Sequence, residues 1–186
     1  MKASTLKIRS VGYEPGLIPE LAAVLIDCVE GGASVSFMWP LPYPNAVAFW
    51  KGVMDSAARG ERILLVAEDT AGQIQGTVQV VLNLPENQPH RGDLAKMLVH
   101  RRARRRGVGA ALVRAAEEAA RAAGRTLLVL DSVTGGDAER LYTRLDWQRV
   151  GVIPCYALWP RGGLCSTTYF YKVLAQSPQS KDCATC

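Results

Sequence analysis

No window of this 186-residue chain approaches the about eighteen uninterrupted apolar residues of a membrane span, and the N-terminus MKASTLKIRS lacks a signal peptide's apolar core. A cytoplasmic location with no membrane partner is therefore expected. Histidine is almost absent. His90 and His100 are the only two, so neither a zinc site nor a histidine-assisted cysteine nucleophile at Cys155 or Cys165 finds support, and no metal is expected. The five cysteines, Cys28, Cys155, Cys165, Cys183 and Cys186, are odd in number and scattered, which argues against a disulfide framework and fits a reducing compartment. Cys183-x-x-Cys186 lies in a polar tail, 176–186, that reads as disordered rather than as a metal or redox motif. No Gly-x-Gly-x-x-Gly is present, residue 112 being Leu, and no Gly-Lys-Ser/Thr follows a glycine-rich loop. These gaps exclude the common dinucleotide and nucleoside triphosphate signatures. No internal repeat is found.

What is present fits one globular domain, residues 1–175, with 48% apolar and 21% charged residues. The most informative stretch is Leu94 to Gly124, LAKMLVHRRARRRGVGAALVRAAEEAARAAG. It reads as a strand at 94–100, an arginine-rich connector at 101–106, and Gly107-Val108-Gly109 at the mouth of an alanine-rich helix. A helix's first turn leaves backbone N–H groups without partners, and the helix dipole adds positive charge there. Glycine at 107 and 109 lets a bulky anion approach, while adjacent arginines supply charge-assisted bonds. The pattern predicts a pyrophosphate cradle. The net charge of +5 is concentrated at Arg101, Arg102, Arg104, Arg105 and Arg106, a run a nucleic-acid module would also show. Against that alternative, no aromatic residue lies between 94 and 124 for bases to stack on.

The remaining chain predicts a strand over 5–11 and a helix over 17–30 stopped by Gly31-Gly32. An aromatic-bearing loop, GGASVSFMWPLPYP, follows; it is read either as a substrate-contacting segment or as a plug for the core edge. A second helix then opens at Pro44-Asn45. Strands over 62–69 and 73–82 meet at a Thr70-Ala71-Gly72 hairpin, and the second should bury one face more deeply than the other. The strand over 126–132 should run parallel to 94–100 through the helical crossover, on which Leu112, Ala116, Ala119 and Ala123 form a small-residue stripe and Glu117 pairs with Arg121. Asp137 should cap a short helix carrying Ala138, Leu141, Tyr142 and Leu145. Strands over 147–153 and 167–174 close the fold across a loop containing Pro154, Tyr156 and Trp159.

The spacing Arg104-x-x-Gly107-x-Gly109 after a strand resembles the acetyl-coenzyme A signature of the GCN5-related N-acetyltransferase (GNAT) superfamily, and the order of surrounding elements agrees with it. The resemblance implies an α/β (α+β) fold, a central mixed twisted sheet of about seven strands flanked by about four helices. It also implies an N-acetyltransferase that uses acetyl-CoA as co-substrate. In that reading AERLYTRLDW matches the superfamily's Ala-x-x-x-Tyr-x-x-x-Gly-Phe and makes Tyr142 the general acid, with Asp146 and Trp147 in place of Gly and Phe. Backbone groups of Met97, Leu98 and Val99 should hold the pantetheine arm, with a bulge or splay beside Val99. Arg104, Arg105, Arg106, Gly107, Val108, Gly109 and Ala110 should hold the pyrophosphate. Gly135 stands where many members carry an Asn that contacts the coenzyme, a contact Ser132 could supply. Asp131 is the first candidate base and Glu68 its competitor. The segments GGASVSFM, LLVAED, LLVLDS and STTYFYKVL resemble a narrower branch, the acetyltransferases that confer resistance to the β-lactam toxin tabtoxin. The expected acceptor is thus the amine of a small molecule, a toxin or antibiotic. A protein or peptide amine is the alternative, and the oligomeric state, a homodimer included, is left open.

Overall fold

The computed structural model describes residues 6–174; the tail with Cys183 and Cys186 lies outside them. Among these residues the chain forms seven strands in one sheet and four α-helices: β1 (Lys7–Val11), α1 (Ile18–Glu30), α2 (Tyr43–Ala58), β2 (Arg62–Glu68), β3 (Ile74–Val81), β4 (Arg91–Val99), α3 (Val108–Ala122), β5 (Leu127–Val133), α4 (Asp137–Arg144), β6 (Gln148–Leu158) and β7 (Leu164–Val173). The sheet order is β1-β2-β3-β4-β5-β7-β6. Strands β1 to β4 are antiparallel neighbours in chain order; β1 reaches β2 through α1 and α2, while β2 passes to β3 by a tight turn. At the β2–β3 turn, Asp69 accepts bonds from the Ala71 and Gln73 N–H groups.

The crossover through α3 sets β5 parallel to β4, as expected, but pairing extends only over Arg91–Asp93 against Leu127–Val129. Beyond that point the two strands part. The sequence led us to expect a bulge or splay beside Val99. The two strands are splayed there, and the bulge lies three residues earlier: Thr77 faces Leu98 while Gln79 faces Ala95, so β4 carries one extra residue, and Lys96 there takes a left-handed φ of 48°. A bulge bends its strand and ends regular pairing, which opens the sheet at its centre.

Two apolar clusters flank the sheet. One lies under α3 and α4 and includes Leu65, Val78, Val80, Leu112, Val113, Ala116, Leu128 and Phe170. The other lies under α1 and α2 and includes Leu21, Leu25, Trp50, Met54, Leu64, Val66 and Leu98. Strand β3 sits between them, so the expectation of one better-buried face fails: Thr77 and Gln79 are as buried as Val78 and Val80. Thr77 Oγ1 donates to Leu65 O at 2.9 Å and Gln79 Oε1 accepts from Arg62 Nη1 at 2.6 Å, while Gln79 Nε2 is buried without a partner among the described residues.

Helix-level expectations also shift. In α3 the buried stripe is Val108, Leu112, Val113, Ala116 and Ala120, while Ala123 is exposed. Glu117 is buried and held mainly by Lys172 Nζ at 3.0 Å and Trp147 Nε1 at 2.9 Å, with Arg121 at 3.9 Å. A buried carboxylate takes its nearest donors from β7 and the chain after α4, which i,i+4 spacing cannot reveal. Asp137 is the first residue of α4 and not its cap: it pairs with Arg140, while Glu139 reaches back to the Gly135 N–H. The last two strands run well into the expected loop, because two extra residues bulge out of β6 between Ile153 and Ala157 and accommodate Pro154.

Candidate active site

The cleft forms where β4 and β5 part. At the end of β4 the His100 N–H donates to Gln75 O at 2.9 Å. In an antiparallel pair the next residue back points its N–H and C=O the other way, so those of Val99 turn from β3 toward the gap. Its carbonyl accepts from Arg104 Nε at 3.3 Å and Cys28 Sγ at 3.5 Å. Gly76, opposite Val99, permits the close approach of these strands: a Cβ there would stand 2.6 Å from the Leu98 carbonyl oxygen. A lone glycine inside a strand pattern was the available sign of it.

The connector 101–106 divides into two parts. Arg101 binds Asp27 with both its N–H and Nε at 2.8 Å and reaches Glu30; Arg102 binds Gln75 Oε1 and Ile74 O at 2.9 Å. These two arginines anchor the turn to α1 and β3. Burial works against the Asp27 charge, but the Arg101 N–H and guanidinium outweigh it and hold the carboxyl below its usual range. Arg105 and Arg106 are exposed and in no ion pair among the described residues. Gly107 then caps α3 with φ 81°, a conformation that strains any residue with a Cβ. No side chain caps this terminus and no acidic residue occupies the first turn, so its N–H groups face outward bare. At Gly109 a Cβ would stand 3.1 Å from Leu141 Cδ2, so glycine there also lets α4 pack close.

Tyr142 on α4 is buried against Trp147 and Phe170, with ring centroids 5.7 and 6.0 Å away. Its hydroxyl makes no hydrogen bond among the described residues. Burial pushes the phenol well above its usual range, with the Asp131 charge adding to the effect. The turn after α4 survives the loss of glycine: Asp146 takes φ 60°, and the Trp147 and Asp146 N–H groups bond Tyr142 O and Thr143 O.

Asp131 and Ser132 lie on β5 beyond the parting, where Thr167 Oγ1 sits 3.0 Å from both Asp131 Oδ2 and Ser132 O and shares its one proton between them. They line a cleft of about 320 Å³ together with Ser34, Ser36, Phe37 and Tyr156. The structure thus brings Asp131 within electrostatic reach of Tyr142. Glu68 is elsewhere, bound at 2.8 Å to Arg9 at the β1–β2 edge of the sheet. The loop after α1 roofs the cleft. Ser34 Oγ donates to Leu158 O at 2.9 Å, and Trp39 N donates to Pro160 O at 2.8 Å. Of its aromatics, Phe37 packs edge-on against Phe49 and also lines the cleft. Tyr156, on the cleft wall, places its hydroxyl 3.0 Å from that of Tyr169; that bond, with burial, pushes Tyr169 up to about 12.

A mixed sheet thus parts beside a bare helix N-terminus, with a buried tyrosine and a carboxylate close to the parting. The family model described as an acetyltransferase (GNAT) domain matches residues 60–149, a little under half of the chain, from before β2 to the start of β6. Solved structures share the fold over nearly the full length. An N-acetyltransferase from Staphylococcus aureus Mu50 superposes with TM-score 0.76 at 16% identity, covering 92% of this chain and all of that one. The Salmonella typhimurium protein yncA, solved with its cofactor acetyl-CoA, gives 0.73 at 16%, covering 96% and 99%. A ribosomal-protein-alanine N-acetyltransferase from Brucella melitensis gives 0.75 at 22%, covering 90% and 99%.

Proposed function

We propose that this protein is a cytoplasmic, single-domain enzyme that acetylates the amine of a small molecule with acetyl-CoA. One observation carries the reading: the gap between β4 and β5 leads from the outward-turned Val99 N–H to the bare N-terminus of α3. The residues present fit the co-substrate. Amides of Met97 to Val99 are the partners for its amide-bearing arm, and those of Val108 to Ala110, with Arg104, Arg105 and Arg106, for its diphosphate. When bound, acetyl-CoA supplies an acetyl thioester whose thiol, with a reference pKa of about 8.5, is a fair leaving group.

The protein's own part is positioning and proton transfer. Asp131 accepts from the incoming ammonium and passes its proton to solvent, directly or through a water, while Thr167 holds the carboxylate in place. Tyr142 stays protonated at physiological pH because it is buried, and it donates toward the departing sulfur. Desolvation that raises the phenol also raises a thiolate beside it, which keeps the two matched. Ser132 stands beside Asp131 to contact the arm where Gly135 offers no side chain.

The roof over residues 34–39 supports a compact acceptor over a long peptide, since its two bonds to the β6–β7 end close the cleft on that side. The resemblance of GGASVSFM and its companion segments to tabtoxin resistance protein supports a β-lactam toxin amine as the first acceptor to try. Commitment of Arg101 and Arg102 to internal partners argues against a nucleic-acid surface. An acetylation screen of small amines and peptides, read by free thiol release, tests the reading. Calorimetry showing no acetyl-CoA binding at millimolar concentration would overturn it.

A further inference from the structure

Lys96 is the bulged residue of β4, and neither the pyrophosphate motif nor the proton transfer uses it. Its φ of 48° is costly for a residue with a Cβ, and its hydrogen-bond partner is strained in the same way: Ser36 sits at φ 75° in the roof loop. Lys96 Nζ donates to Ser36 Oγ at 3.0 Å, which ties the opened strand to the roof. Ser36 lines the same cleft as Asp131, so the bond brings the ammonium to the cleft wall. Lys96 forms no ion pair among the described residues. An ammonium has three donors, and one hydroxyl satisfies only one of them.

Resting on the acetyltransferase reading above, we propose that Lys96 determines acceptor choice by binding a carboxylate on the amine substrate. The amine lies toward Asp131 and the acid toward Lys96, so the acceptor is an amino acid or a compact molecule built on one. Burial pushes the Lys96 ammonium down, opposed by the Asp131 charge across the cleft and assisted by Arg62. Asp131 acts on it only at longer range, and a substrate carboxylate would give this half-buried cation a direct ion-pair partner. The coenzyme phosphates are not its target. Lys96 precedes Val99 by about 10 Å along an extended strand, and the α3 N-terminus lies beyond the following turn.

Matched amine pairs test this: L-lysine against cadaverine, L-phenylalanine against phenylethylamine, and glycylglycine against its amide. The wild-type protein should favour the carboxylated member by about tenfold or more in kcat/KM, mainly through KM, a preference of about 1.4 kcal/mol or more. In Lys96→Met that ratio should fall toward one, and Lys96→Arg should keep most of it. A readout free of turnover is the thermal shift from N-acetyl-L-phenylalanine against N-acetylphenylethylamine, which should be larger for the acid in wild type and equal in Lys96→Met. Should Lys96→Met fail to fold, the wild-type pairs and Lys96→Arg decide. Equal ratios and equal shifts in wild type, with acetyl-CoA still bound and thiol released, overturn this inference and leave the acetyltransferase standing. Loss of acetyl-CoA binding in wild type overturns both.

Discussion

Over β2 and β3 the sheet is covered on both faces, by α3 on one side and by α1 and α2 on the other; over β5 to β7 only one face has helices, and the other carries the cleft. The covered half buries Trp50, Leu64, Leu21 and Leu25 completely. In the open half Val150, Val152, Leu164 and Val173 are 40% or more exposed. The first arrangement holds the chain together, and the second leaves room for substrate, since a strand buried on both faces has none to offer. The boundary is β4, paired to β3 across a bulge at Lys96 and released from β5 after three residues.

Mutations on the two sides should separate stability from activity. The largest effect is expected from Trp50→Ala, a loss of about 3–5 kcal/mol in denaturant unfolding, against less than about 0.5 kcal/mol for Leu164→Ala. Equal losses would erase the distinction between the halves. Next, Tyr142→Phe should lower kcat by about 100-fold with acetyl-CoA affinity and unfolding midpoint little changed, because the hydroxyl has no internal partner to lose. Unchanged turnover, with chemistry shown to be rate-limiting, would remove it as the acid.

Smaller effects sharpen the role of the turn between the halves. Asp27→Asn should cost about 1.5–2 kcal/mol at neutral pH, since it removes the charge from the bonds that pin Arg101. The Asp27 carboxyl is held low in the folded protein. Its contribution is therefore present above the unfolded value of about 3.9 and lost as pH falls through the folded one, so the difference between wild type and variant should shrink in acid. A difference that persists at pH 2 would point to packing instead. Finally, Gly107→Val should weaken acetyl-CoA binding by about tenfold in calorimetry. A Cβ at Gly107 meets nothing in the protein, so the effect must come through the φ of 81° that aims the first amides of α3.

Much of the covered half was legible in the chain because its signals are local. Helical spacing in 17–30, the Thr70-Ala71-Gly72 turn and the strand, arginine turn and helix at 94–124 each depend on neighbours a few residues apart. Site residues split along the same line. Tyr142 and Gly107 were visible from spacing within a motif, whereas Lys96 carried no local mark, because a bulge exists only relative to the partner strand. Glu68 and Asp131 both looked like carboxylates at strand ends, and only the positions of Arg9 and Thr167 separate them. The arginine run looked uniform until Asp27 and Gln75, far away in sequence, claimed two of its members.

By itself the sequence determined the strand, bare turn and helix that suit a diphosphate, and the helix that presents Tyr142, because hydrogen bonding and backbone conformation at those positions are settled by residues close in the chain. Only the tertiary structure decided where β4 and β5 separate, which charges are already paired, and that Lys96 meets Ser36 beneath the roof. Those outcomes depend on register between strands and on contacts across as many as 74 residues, where no periodicity connects the partners.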